Sequence, residues 1–210
     1  MKVAILTSKN QWFLNYAKSL SKCIKNSQLF LDHKLIGKEY EIVFILSYHV
    51  LIPDVFLKQH KHNIVIHSSP LPQGKGWSPM FWQILEGKNE ICFSMFEANK
   101  GIDAGDIYMQ RYLKLNGYEL NDELREKQAK MIIQMCIDFL KNHKDIKPKK
   151  QEGVESFYPK RTAKDSELDI NKSIKEQFNL LRVSNNEEYP AFFVLNGHKF
   201  ILKITEEVVD

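Results

Sequence analysis

Three short apolar runs constrain this chain most. Lys2 to Thr7, Ile42 to Ser47 and Asn63 to His67 are nearly continuous in apolar residues rather than alternating. A strand that is apolar on both faces must be covered on both faces, which argues for a mostly parallel sheet between helices. Segments of helical period separate the runs. Trp12 to Lys25 sets Phe13, Ala17, Leu20 and Ile24 on one face. After Ile52-Pro53, Asp54 is placed to cap a short helix. The expectation is a doubly wound, Rossmann-like α/β core.

Ser78-Pro79 reads as an N-cap with proline at the first helical position, and that helix ends near Glu86 at Gly87. Ile91 to Glu97 and Ile107 to Leu115 read as strands joined by a polar turn. The clearest helix spans 119 to 142, with Leu120, Leu124, Met131, Ile132, Met135, Cys136 and Phe139 at helical spacing. Composition then shifts. His143 to Ser156 is polar, holds Pro148 and lacks a period, so it is a linker or a strand crossing the surface. A short helix over Ile174 to Val183 follows. Ala191 to Leu195 and His198 to Ile204 flank Asn196-Gly197, a type I′ hairpin signal. The expected organisation is a core over 1–145 and a helix-and-hairpin extension over 146–210.

The 210 residues are 43% hydrophobic and 27% charged, a globular balance. No apolar run approaches a membrane span. The first residues read as a buried strand rather than a signal peptide, so the cytoplasm and no membrane partner are expected. Cys23, Cys92 and Cys136 have no CxxC spacing and read as free thiols. His49, His60 and His62 lack nearby acidic or thiol partners and read as exposed histidines around a helix end, not a metal site. The net charge of +4 is spread among mixed signs. The lysines of 141–150 read as a solvated connector, so no nucleic-acid partner is expected.

The chemistry concentrates between 67 and 110. His67 leaves a strand into a loop of serines, prolines and glycines, and Asp103 sits in the later turn Gly101-Ile102-Asp103-Ala104-Gly105-Asp106. Open α/β sheets bind ligands at the carboxyl edge of their strands. If the two loops meet, an imidazole faces a carboxylate there. Taken singly, His67 reads equally as a hydrogen-bonded strand-end histidine, and Asp103 as a turn residue.

The ordered series His67, Ser69, Leu71-Pro72, Gly76, Pro79, Trp82, Gly87 and Asp103-x-Gly105-x-Ile107 resembles the formyltransferases that use 10-formyltetrahydrofolate. Their core is shared by the enzymes acting on methionyl-tRNA and glycinamide ribonucleotide. The resemblance implies His67 and Asp103 as the catalytic pair, with Asp106 in a supporting role. In that reaction an amine attacks the formyl carbon. A histidine stabilises the oxygen that gains charge, and a histidine–aspartate pair moves the proton released by the amine. The resemblance further implies a folate cleft lined by Tyr48, Val50, Leu51 and Ile52 on one side and Asn99, Lys100, Gly101 and Ile102 on the other. Residues 50–52 read equally as core packing. One departure is plain. The family has an asparagine two residues before the histidine, and here Val65 stands there. Asn63 lies roughly 7 Å further back along an extended strand and serves only if a bulge shifts the register.

The acceptor is read from what differs among relatives. Residues Thr7 to Trp12 lack the glycines of a phosphate-binding loop. The 68 residues after the long helix are expected to be too few for the barrel that the resemblance implies for tRNA-directed members. Phe157-Tyr158-Pro159-Lys160-Arg161-Thr162-Ala163-Lys164-Asp165, Leu181-Arg182 and Tyr189-Pro190-Ala191-Phe192 resemble motifs of nucleotide-sugar N-formyltransferases. That branch implies Ser69, Lys75, Gly76, Trp77, Phe157, Tyr158, Arg161 and Tyr189 around a nucleotide-linked amino-dideoxy sugar. The acceptor would be a UDP-4-amino-4,6-dideoxy sugar of the pseudaminic acid type. The same C-terminal residues read equally as packing. The alternatives are another amine such as aminoacyl-tRNA, or a degraded folate- or nucleotide-binding module. Either a monomer or a homodimer fits.

Overall fold

The computed structural model describes residues 1–207. Its centre is a six-stranded sheet built from β1 (Val3–Leu6), β2 (Ser27–Phe30), β3 (Ile42–Ile45), β4 (His62–His67), β6 (Glu90–Glu97) and β7 (Ile107–Lys114), in the order β2-β1-β3-β4-β6-β7. The first four strands run parallel; β6 and β7 are antiparallel to their neighbours. The sheet is thus mixed and mostly parallel, as the apolar runs require.

Alternation along the strands feeds two cores. Val3, Ile5, Ile42, Phe44 and Ile64 face a layer formed by α1 (Leu14–Cys23), α3 (Pro79–Leu85) and α4 (Asn121–Asn142). Ala4, Leu6, Val43 and Ile45 face Phe56 and Leu57 of α2 (Asp54–Leu57) on the other side. Phe139 of α4 meets Phe44 edge-to-face at 6.1 Å between centroids.

The structure departs from the sequence expectations in four places. β2, of sequence SQLF, is a short, partly exposed edge strand whose polar residues carry no strand signal. Ser78 does not cap α3 with its side chain; it is left-handed (φ 47°). Asp54 is the first residue of α2 rather than its cap, and it pairs with Lys58 at 2.7 Å. Ile174 to Gln177 form turns, so α5 is confined to Phe178–Val183.

The C-terminal segment adds a short strand β8 (Phe157–Tyr158), which pairs with β5 (Lys75–Gly76), and a hairpin of β9 (Ala191–Leu195) and β10 (His198–Leu202). Asn196 and Gly197 both have positive φ, as a type I′ turn demands. Arg182 of α5 is wholly buried in the core. Its Nη2 lies 3.0 Å from Glu119 Oε2, and its Nε donates to the Glu119 carbonyl. No helix among the described residues is long and apolar enough to cross a membrane.

Candidate active site

His67 ends β4, paired to β3 on one side and opposite Ser94 of β6 on the other. Along β4 it shares a face with Asn63 and Val65. Its Nε2 donates to the Gly74 carbonyl at 2.8 Å. A carbonyl only accepts, so Nε2 carries the hydrogen. Nδ1 then faces Asp103 Oδ2 at 3.7 Å, about 0.5–1 Å beyond a hydrogen bond. Both side chains are mostly buried.

Backbone detail holds the pair in place. Asp103 is left-handed (φ 47°) and its Oδ2 accepts the Gly76 N–H at 2.9 Å. Gln151 Nε2 bonds the carbonyls of Asp103 and Gly105, each at 2.8 Å. Two glycines allow the approach. Gly76 has φ 94°, and a Cβ there would lie 2.6 Å from the Tyr158 carbonyl oxygen. A Cβ on Gly105 would overlap the Glu97 carbonyl oxygen. Gly105→Ala is therefore expected to lower stability by about 1–3 kcal/mol, the scale of overpacking, with Asp103 displaced. A thermal melt indistinguishable from wild type would refute that reading of the turn. Asp106 is exposed, and its carbonyl accepts the Glu97 N–H.

The loop after β3 and the loop after β6 carry the residues expected to hold a folate. Tyr48, Ile52, Val65 and Ala98 are partly buried and pack against the core of Ala4, Leu6, Val43 and Ile45. Tyr48 accepts the His33 N–H and lies 2.8 Å from its Nδ1, so its hydroxyl serves the fold. Val50 and Leu51 are not core residues: they are 55% and 87% exposed, and Ile102 is 66% exposed. Among the described residues, the backbone N–H and C=O groups of residues 50–52 have no hydrogen-bond partner. Asn99 accepts the Gly101 N–H, and Lys100 lies 3.6 Å from Asp54, linking the two loops.

Asn63 does not replace the asparagine that Val65 displaces. Pairing through β4 is regular on both sides, with no bulge. The Asn63 amide donates to the Leu57 carbonyl instead.

The residues expected to meet the acceptor divide. Ser69 is fully buried, its hydroxyl without a partner among the described residues. Lys75 is buried and paired with Glu155 at 2.6 Å. Tyr158 stacks on Trp82 and donates to Glu86 at 2.7 Å; burial and then Glu86 push its hydroxyl pKa up. Lys75 and Tyr158 thus have partners within the fold, while the Ser69 hydroxyl has none. Trp77, 40% exposed, sits between His49 and Lys160. Phe157 and Tyr189 are exposed. Pairing of β5 with β8 brings this C-terminal segment against the Gly76 that holds Asp103.

The histidines read as exposed differ from that expectation. His49 is exposed, but His60 is buried and bonds the Tyr40 carbonyl at 2.7 Å, and His62 is partly buried beside Tyr108. Gln83 and Gln128 were missed. Gln83 Nε2 donates to the Ser68 carbonyl and Gln128 Nε2 to the Ser68 hydroxyl, bracing the residue after His67. The signal for Gln128 was its place, with Asn121, on the apolar stripe of α4.

The chain thus has a Rossmann-like sheet with a histidine–aspartate pair at its carboxyl edge, and comparison specifies its class. Residues 21–139, more than half of the chain, match the formyl transferase family, and the chain belongs to that family. A methionyl-tRNA formyltransferase of Sulfurihydrogenibium is 30% identical over 166 residues, covering 76% of this chain and 52% of the relative. The chain spans about half the length of such curated relatives. Among solved structures, methionyl-tRNA formyltransferase from Clostridium thermocellum aligns at TM-score 0.82 and 22% identity, over 99% of this chain and 94% of that one. A 4-N formyltransferase from Francisella tularensis aligns at 0.77 and 19%, over 99% of each. HypX from Aquifex aeolicus, solved with tetrahydrofolic acid, aligns at 0.72 and 16%, over 97% of this chain and 37% of that one. These structural likenesses establish the fold.

Proposed function

We propose that this protein transfers a formyl group from 10-formyltetrahydrofolate to the amine of a nucleotide-linked amino-dideoxy sugar. The observation that carries the transfer is the His67–Asp103 pair, held by Gly74 and Gly76 at the end of β4. The two loops suit a folate. Val50, Leu51 and Ile102 present exposed apolar side chains and residues 50–52 present unpaired backbone groups, which match a flat heterocycle with hydrogen-bonding edges. When bound there, the folate supplies an activated formyl group. Val50, Leu51, Ile52 and Ile102 would hold it, with Asn99, Lys100 and Gly101 shaping the facing loop.

The chain's own groups do the rest. With a proton on Nε2 only, His67 keeps a lone pair at Nδ1 that would take the proton lost by the attacking amine and return it to the folate nitrogen as that nitrogen's bond to the formyl carbon breaks. With both nitrogens protonated, the ring is a cation that stabilises a developing oxyanion, and the Asp103 carboxylate balances it. The burial of both groups strengthens each interaction over its value in water.

Support for a sugar nucleotide comes from the placement of 157–161 beside the catalytic loop. A UDP-4-amino-4,6-dideoxy sugar of the pseudaminic acid type fits the motif resemblance. A second reading, transfer to methionyl-tRNA, is favoured by the curated relatives. Incubation with 10-formyltetrahydrofolate and either a panel of nucleotide-linked amino sugars or methionyl-tRNA, read by mass, separates them. Formylation of the tRNA alone would refute the sugar reading.

Restoring the family asparagine tests for a degraded module. If another group already donates, Val65→Asn should change turnover by less than about threefold. A gain of about tenfold or more, the scale of one oxyanion donor, would mean that Val65 marks a crippled site.

A further inference from the structure

We propose that Arg125 and Arg161 form a two-guanidinium receptor for the diphosphate of the acceptor, walled by Trp12 and Phe81 and tied to the His67 loop through Gln128. This deepens the acceptor reading and rests on it for the acceptor's identity.

Arg125 lies on α4 with its guanidinium carbon 4.2 Å from the Phe81 ring centroid and 4.5 Å from that of Trp12. Its Nη1 donates to Gln128 Oε1 at 3.0 Å, and Gln128 in turn donates to Ser68, the residue after His67. Arg161 comes from the C-terminal segment. Its Nη1 and Nη2 make long bonds to the carbonyls of Val183 and Asp165, at 3.4 and 3.3 Å. Its Nε is buried without a partner among the described residues. The Val183 carbonyl that Arg161 reaches also accepts from the Asn121 amide, one turn before Arg125 on α4, so the two arginines lie on adjoining elements.

Two partly buried cations set near one another are costly unless an anion balances them. The chain's other two arginines have one: Arg111 pairs with Asp138 and Arg182 with Glu119. Neither Arg125 nor Arg161 makes a salt bridge among the described residues. Two carboxylates come near. The Asp165 carboxylate is engaged by the N–H and hydroxyl of Thr162. Glu188 is exposed and acts on Arg125 through its charge, without a hydrogen bond.

Burial, then Arg161, pulls the Arg125 pKa down to about 9, which leaves it a cation at neutral pH. Both arginines are partly exposed as residues. Their N–H forks match phosphate oxygens, and the aromatic walls hold Arg125 in one pose. Trp12 belongs to the loop after β1, which lacks a glycine cradle. Side-chain charge does there what backbone N–H groups do elsewhere.

The test is calorimetric titration of UDP, uridine and inorganic pyrophosphate into the whole chain and into Arg125→Met, Arg125→Lys and Arg161→Met. UDP and pyrophosphate should bind the wild type and uridine should not. Both methionine variants should weaken binding about ten- to a hundredfold, with Arg125→Lys between because an ammonium lacks the fork. A folate analogue should bind all of them alike. If Arg125→Met does not fold, Arg125→Lys decides. Wild type that ignores UDP and pyrophosphate would overturn the proposal. So would folded variants that bind UDP as wild type does, or an acceptor-stem RNA that binds through Arg125 when UDP does not. UDP binding without formyl transfer would refute the activity and leave the receptor standing.

Discussion

Replacing His67 with asparagine should lower turnover by about a hundredfold or more while the protein stays folded. The magnitude is that of losing an acid–base group or an oxyanion donor. The fold should survive because His67 ends β4, and the one hydrogen bond that its side chain makes among the described residues, to the Gly74 carbonyl, can be made by an amide. Asp103→Asn should cost a similar factor, since the carboxylate beside Nδ1 is lost. Asp106→Asn should be milder, because that side chain is exposed. Initial rates with matched circular dichroism check all three. Near-normal turnover in His67→Asn would remove the mechanism, and a larger loss at Asp106 than at Asp103 would reassign the carboxylate.

Arg182→Ala should destabilise the whole chain by about 3 kcal/mol, the lower end of the range for breaking a buried ion pair. Arg182 and Glu119 are both fully inaccessible. The loss falls at the lower end because Glu119 keeps Lys127 at 2.6 Å and the N–H groups of Asn116 and Gly117. Burial pushes the Glu119 carboxyl up, but those partners outweigh it and hold its pKa below the ordinary value. In urea the unfolding midpoint should fall, and Arg182→Met with Glu119→Gln should recover part of the loss, since no charge is then left orphaned. A variant within about 0.5 kcal/mol of wild type would show that α5 is not anchored by this pair.

Much of the core was legible because its signals are local. Continuous apolar runs mark buried strands, helical spacing marks α1 and α4, and Asn196-Gly197 marks the hairpin. β2 was missed because a short edge strand can be polar, and the N-terminal part of the helix expected at 174 was misread because Ile174 is solvent-exposed. In the site, the sequence order of His67 and Asp103 drew attention to both. Tyr158 and Lys75 have residue types suited to ligands, yet Glu86 and Glu155, distant in sequence, engage them.

The sequence by itself determined the parallel core, the family and the two loops where chemistry was to be sought, since each rests on periodicity or on one continuous motif. The tertiary structure alone decided that Asp103 faces His67, that Asn63 stays bound to Leu57, and that Arg161 meets Asn121, one turn before Arg125, at the Val183 carbonyl. Those are meetings of side chains far apart along the chain. Residue type states what each group can do, but only packing and the closing of the intervening loops state which groups come within reach.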